Sequence, residues 1–389
     1  MNNIPEFCLL TCLARTTLKS DDSARAADLL RGELQWDKFL PLCWRHGLMP
    51  LVFNHLRTTF AEFVPPAHLR KIREDFQHNA ARNVMLAREL CSVFEEFEER
   101  GIEALAYKGP ALAIQVYGDL SFRSFVDLDL LIRPDDAALA GSVLAARGYH
   151  PHLDLNPAQE LMLFRSECDR VYLREGRNIV LELHWAVAPP FFGVGVDIEQ
   201  VMANCLQIEM CGRKINVPSA EMLLLLLCVN GTKDLWTVLE AVSSLNELVR
   251  RTPQLNWTRV IASGREAGVL RMLHLGLSLA RDIFDLPLPE HVSTSIAADQ
   301  RVTHLAREAR RRLTENEMPP GLIEKTSFRV RSREHTRDKL RYCVLRAMTP
   351  TYRDCSTELP ASLSFLYYGF RPLRLLRDSL KRPADKAVV

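Results

Sequence analysis

The stretches Asp127-Leu128-Asp129-Leu130-Leu131-Ile132 and Ile179-Val180-Leu181-Glu182-Leu183-His184-Trp185 decide how this chain folds. Both are short and dominated by apolar and branched residues, the pattern of a strand. Side chains alternate between the faces of a strand, so Asp127 and Asp129 project to one side and Leu128 and Leu130 to the other. By the same rule Glu182 and His184 share a face. Two carboxylates a few ångströms apart repel unless a cation neutralises them, and hard divalent ions such as Mg²⁺ are the usual oxygen-ligated answer. A pair of such ions about 3.5–4 Å apart needs a further acidic ligand, for which Glu182 is the best candidate. Asp127, Asp129 and Glu182 are therefore the candidate metal-binding and catalytic acids.

Upstream lies Lys108-Gly109-Pro110-Ala111-Leu112, with a helix expected to start near Pro110. Glycine lets the backbone approach a phosphate at a helix N-terminus, and proline suits the first helical position. Arg123 reads either as a clamp for phosphate oxygens or as an ion-pair partner of Asp127 or Asp129. Bland readings stand beside these. Lys108 could snorkel at the surface, His184 could be a satisfied core histidine, and Tyr117, Trp36 and His46 could simply pack.

Further out, the texture divides the chain into residues 1–100, 101–217 and 218–389. The first region is helical. From Leu69 to Arg100 apolar residues recur at three- and four-residue steps, which predicts an amphipathic helix ended by Gly101. The middle region is mixed. It has strands at 127–133, 171–174 and 178–185, a turn at Glu175-Gly176-Arg177, and a helix over 135–148 closed by Gly148. The last region returns to helices, with Ser219 as an N-cap ahead of the apolar run Met222–Val229 and further helices near 232–251, 257–284, 299–314 and 332–347. Pro253, Pro287, Pro289 and Pro319-Pro320 punctuate them, and Lys381–Val389 reads as a frayed end. The fold class implied is α+β: a small mixed sheet with helical regions on either side.

Composition narrows the function. At 389 residues the chain exceeds one ordinary domain, and 47% hydrophobic with 25% charged residues excludes a disordered or fibrous chain. The formal charge of +2 provides no long-range field for nucleic acid, which argues against that partner. Met222–Val229 falls far short of the roughly 20 residues that cross a bilayer, and Cys8–Ala14 has no basic cluster before it, so a cytoplasmic protein without a membrane partner is expected. The ten cysteines include no CxxC pair and read as reduced, mostly buried thiols. The arginine-rich stretches Arg307–Arg312 and Arg329–Arg341 read as solvated helix faces.

These motifs together resemble the uncharacterised nucleotidyltransferase family, a branch of the polymerase-beta-type nucleotidyltransferase superfamily. That pattern is KGxxL, a tyrosine followed by glycine or proline, an arginine, DxDLL and a later E-x-H-W strand. Here it reads Lys108-Gly109-Pro110-Ala111-Leu112, Tyr117-Gly118, Arg123, Asp127-Leu128-Asp129-Leu130-Leu131 and Glu182-Leu183-His184-Trp185. The resemblance extends to the Trp36 to His46-Gly47 segment, to Trp236, and to Leu359-Pro360 and Arg371-Pro372, so it is nearly full length. It implies that Asp127, Asp129 and Glu182 bind the metal and that the segment around Lys108 and Gly109 borders the nucleotide, for which Arg123 and His184 are the further candidate residues. Three departures stand out. Gly109-Pro110 replaces the usual Gly-Ser of the phosphate turn, which removes one backbone donor. Asn230 and Ser244 stand where relatives tend to have histidine and aspartate.

The expectation is then a Mg²⁺-dependent nucleotidyltransferase, with two ions. It would move a nucleoside monophosphate from an NTP, ATP first among them, to a small-molecule or peptide acceptor and release pyrophosphate. The alternative is a catalytically silent nucleotide-binding or scaffold module. A weaker third is an enzyme acting on transfer RNA, against which the near-neutral charge counts.

Overall fold

A computed structural model describes residues 4–314, 320–356, 359, 363 and 365–380. Pro319, Pro360 and the end read as frayed, Lys381–Val389, lie outside the described residues. The architecture is α+β. Strands β1 (Ala104–Ala106), β2 (Asp127–Ile132), β3 (His150–Pro151), β4 (Asp169–Arg174) and β5 (Ile179–His184) form one mixed sheet in the order β1-β2-β5-β4-β3. Only the central pair, β2 with β5, is parallel. A separate hairpin joins β6 (Cys205–Met210) to β7 (Arg213–Pro218).

The alternation written into β2 and β5 sorts the two faces. Leu128, Leu130, Ile132, Leu181 and Leu183 point to the back, where Leu86, Leu90, Val93 and Phe97 of the helix Pro66–Glu99 and Val143 and Leu144 of the helix Ala137–Ala146 cover them. Burying five such side chains is worth on the order of 10 kcal/mol of transfer free energy before chain entropy is counted. The front carries the acids, and only at Leu105, Tyr107 and Leu131 does it join the second, helical core.

Helix ends follow the glycine signals. After Pro66–Glu99, Gly101 takes φ +71°, its N–H reaches Glu98 O, and the Ile102 N–H reaches Phe97 O at 2.8 Å. This pair of bonds is a Schellman stop, and the same pair closes Ala137–Ala146 at Gly148-Tyr149. Ser219 caps the helix Ala220–Lys233 by accepting from Met222 N–H, and Met222–Val229 is buried throughout.

Elsewhere the helical expectations need correcting. The segment 232–251 breaks at Leu235 and Trp236, both with positive φ, before the helix Leu239–Arg251 begins. The segment 257–284 is two helices, Trp257–Glu266 and Leu270–Phe284, parted at Gly268. Helices Glu290–Ala298 and Leu322–Arg331 escaped the sequence reading. The arginine stretches are not simply solvated: Arg312 is buried against Glu308 and Glu324, and Arg333 is buried with its guanidinium 3.9 Å from the Tyr342 ring centre.

Leu9, Leu13, Phe39, Val52 and Phe53 share one core with Leu224, Leu245, Leu273 and Leu305, so the N-terminal helices before Pro66 pack with the C-terminal ones. The nine described free cysteines form no disulfide, and five are buried. Among the described residues no helix is long and apolar enough to cross a membrane.

Candidate active site

The site forms because β2 and β5 run side by side in parallel. Asp129 pairs with Glu182, Asp127 with Val180 and Leu131 with His184, so the side chains of Asp127, Asp129, Glu182 and His184 all stand on the front face. One ligand atom from each of Asp129, Glu182 and His184 lies within 4.8 Å of the other two. Asp127 opens β2 and is partly exposed.

Asp129 is the buried centre, only 3% exposed. Lys108 Nζ donates to its Oδ1 at 2.9 Å, and His184 Nε2 meets the same oxygen at 3.1 Å. Glu182 Oε2 lies 3.3 Å from that nitrogen. Burial works against the Asp129 charge, but Lys108 and then the His184 bond hold its carboxyl far below the usual range. Burial also opposes the Lys108 charge, and Tyr107 and Asp129 more than restore it, so the ammonium titrates well above its ordinary value. His184 titrates above its ordinary value for a similar reason: the bonds to Asp129 and Glu182 outweigh burial.

Asp127 moves the other way. Burial, then the charges of Asp129 and Glu182, push its carboxyl up. Lys108 thus pairs with the inner carboxylate, while Asp127 lies within the fields of Asp129 and Glu182. The carboxylates of this group suit a hard divalent cation, and His184 adds a nitrogen beside them. Beside it, Val171, Leu173 and Val180 form a partly exposed apolar shelf on the same face.

Gly109 explains itself locally. Its φ is +52°, and a Cβ there would meet the Asp127 carbonyl oxygen at 3.0 Å. The turn after Lys108 thus leans on the first residue of β2, and Pro110 opens the short helix Gly109–Leu112.

Arg123 has a partner that the sequence did not suggest. Its Nε donates to Glu240 Oε1 at 2.8 Å, and Ser244 Oγ donates to the same oxygen at 2.7 Å. Tyr117 OH lies 2.9 Å from Ser244 Oγ, which joins the packing role read for Tyr117 to a polar one. The Arg123 carbonyl accepts from Asn83 at 2.8 Å and from Asn79 at 3.2 Å, so the helix Pro66–Glu99 grips the loop that leads into β2. Asn79 and Asn83 fall four residues apart on one helix face, and this polar interruption of a buried face was the available signal.

His46 is buried and packs edge-on to Phe7 at 5.9 Å. Its Nδ1 accepts from Leu239 N–H at 3.0 Å, and its carbonyl accepts from Glu240 N–H at 3.2 Å. The segment near residue 46 thereby fixes the start of the helix that carries Glu240. Trp36 stacks on His68 and meets Phe39 edge-on, away from the acids. Both polar atoms of the Asn230 side chain are buried without a hydrogen-bond partner.

The sequence model of the uncharacterised nucleotidyltransferase family matches residues 32–285, a span that holds every candidate site residue. The resemblances at Leu359 and Arg371-Pro372 lie beyond it. No curated protein matches the chain. By the family match, which covers well over half of its length, the chain belongs to the uncharacterised nucleotidyltransferase family and is a nucleotidyl-transferring enzyme.

Proposed function

We propose that this enzyme transfers a nucleoside monophosphate from an NTP, with ATP the first candidate, to an oxygen of a small-molecule or peptide acceptor. The acceptor oxygen forms a bond to the α-phosphorus, the bond from that phosphorus to the bridging oxygen breaks, and pyrophosphate leaves. The observation that carries this reading is the parallel register of β2 and β5, which sets Asp127, Asp129 and Glu182 on one face with Lys108 against the innermost of them. Asp127, Asp129 and Glu182 would hold Mg²⁺, two ions on the family pattern, which screens the triphosphate and polarises the phosphoryl group when bound.

The chain's own residues supply the rest. Lys108, with about a quarter of its side chain exposed, offers its ammonium to phosphate oxygens beside the Gly109 turn. Glu182, 29% exposed, is the acid best able to take the acceptor's proton. His184 bonds Asp129 and Glu182 at once and keeps their spacing. Arg123 stays within reach as a second cation, anchored by Glu240. The near-neutral chain and its free cysteines favour a cytoplasmic enzyme that does not act on nucleic acid.

The test incubates the full chain with labelled ATP, Mg²⁺ and a cell extract, and measures pyrophosphate release and the label's destination. Asp127→Asn and Asp129→Asn should each abolish release, whereas wild-type release from both would refute the reading. ATP binding without release across a broad acceptor panel would favour the silent module.

A further inference from the structure

We propose that Cys168, Asp169 and His184 form a second cation site, built for a soft divalent transition metal of the Zn²⁺ class and separate from the acids that serve nucleotidyl transfer. A nitrogen of His184, the Cys168 thiol sulfur and a carboxylate oxygen of Asp169 lie within 4.8 Å of one another. Asp169 and His184 are direct cross-strand partners in β4 and β5, so they share the front face, and the backbone bond from Trp185 N to Cys168 O at 2.9 Å fixes the strand end that carries the thiol.

The orientation of His184 makes the case. Its Nε2 is committed to Asp129 and Glu182, on the side of β2. Its Nδ1 is buried, on a residue 3% exposed, and has no hydrogen-bond partner. A histidine that ligates a metal commonly donates its other ring N–H to a carboxylate, and this is the arrangement that Nε2 makes. The nitrogen left over for Cys168 and Asp169 is the orphaned Nδ1.

The spacing suits the chemistry. Bonds of about 2.0–2.3 Å to a tetrahedral Zn²⁺ put ligand atoms about 3.3–3.8 Å apart. Cys168 Sγ now donates to Asp169 Oδ1 at 3.1 Å, so small adjustments suffice. Metal entry replaces that thiol proton, which leaves to solvent as the sulfur–metal bond forms. A thiolate with an imidazole selects Zn²⁺ or Co²⁺ over Mg²⁺. The fourth position is open to water or to Tyr107, whose buried hydroxyl has no hydrogen-bond partner and whose ring meets His184 edge-on at 5.5 Å.

The experiment titrates the full-length protein, stripped by chelator, with Co²⁺ and follows the near-ultraviolet thiolate-to-cobalt charge-transfer band, then displaces Co²⁺ with Zn²⁺. One equivalent with a band is expected. The band should vanish in Cys168→Ser and persist in Cys91→Ser, a thiol buried elsewhere. Asp169→Asn, which keeps the thiol, should weaken Co²⁺ binding at least tenfold. No band in the wild type, an undiminished band in Cys168→Ser, or unchanged affinity in a folded Asp169→Asn protein would overturn the proposal. Oxygen-only binding at Asp127, Asp129 and Glu182 yields no thiolate band, so this result stands or falls apart from the pyrophosphate assay.

Discussion

Arg123 and Glu240, 117 residues apart in the chain, meet at 2.8 Å and tie the loop before β2 to the start of the helix Leu239–Arg251. Both side chains are largely buried, at 14% and 15% exposure. Removing one partner of such a pair leaves a desolvated charge behind, at a cost of about 3 kcal/mol. Glu240→Gln should lower unfolding free energy by about that amount. The double variant with Arg123→Met should be less damaged than the sum of the two single changes. Urea unfolding of the four proteins reads the coupling, and strict additivity would mean that the pair contributes nothing.

Gly109→Ala combines two penalties. The left-handed backbone costs a non-glycine residue about 1–2 kcal/mol, and the added methyl group presses on the Asp127 carbonyl at 3.0 Å. Gly101→Ala has the first penalty alone, because nothing lies within 4 Å of its Cβ position. Stability should fall in both, whereas pyrophosphate release should fall only in Gly109→Ala, since only that change displaces β2. Equal turnover in the two variants would disconnect the turn from the site.

The sheet and its acids were legible because strand alternation is a local rule: Asp127, Asp129, Glu182 and His184 needed only the period of two and adjacency of the strands to share a face. The same rule says nothing about what Arg123 meets, since Glu240 arrives through tertiary packing of a helix that no nearby residue announces. The break at Leu235-Trp236 was illegible for a similar reason. Neither residue favours positive φ, yet Trp236 is held there because its ring fills the space left by Gly231 and Gly276. Packing of one large side chain overrides local preference. The buried Arg312 and Arg333 mislead in the same way, as their charge is absorbed by Glu308, Glu324 and backbone carbonyls that only the fold assembles.

His46 gives the fold an acid limit. Burial first, and then Arg45, depress its pKa to about 4, so the folded protein keeps the imidazole neutral. The unfolded chain binds a proton at the ordinary value near 6.5. This contribution is intact above pH 6.5 and is lost as the pH falls towards 4, up to about 3 kcal/mol in all. Unfolding free energy measured between pH 7.5 and 4.5 should fall less steeply in His46→Gln than in the wild type, though the variant is weaker at neutral pH. Parallel slopes would show that His46 does not set the limit.

Gly231→Ala tests the long-range positioning of the site. A Cβ at 231 would come within 2.6 Å of the Trp236 ring, which is fully buried and enclosed on another side by Gly276. Overpacking of this kind costs typically about 1–3 kcal/mol. Trp236 cannot retreat without moving Leu239 and Glu240, which begin the next helix, so the strain is transmitted to the partner of Arg123. The expected result is a lower unfolding temperature, altered tryptophan emission and reduced pyrophosphate release. Trp236→Phe in the same chain should recover part of the stability, because the smaller ring leaves room for the methyl group. Wild-type stability in Gly231→Ala alone would show that the ring does not rest on residue 231, and the chain of contacts from Trp236 to Arg123 would lose its first link.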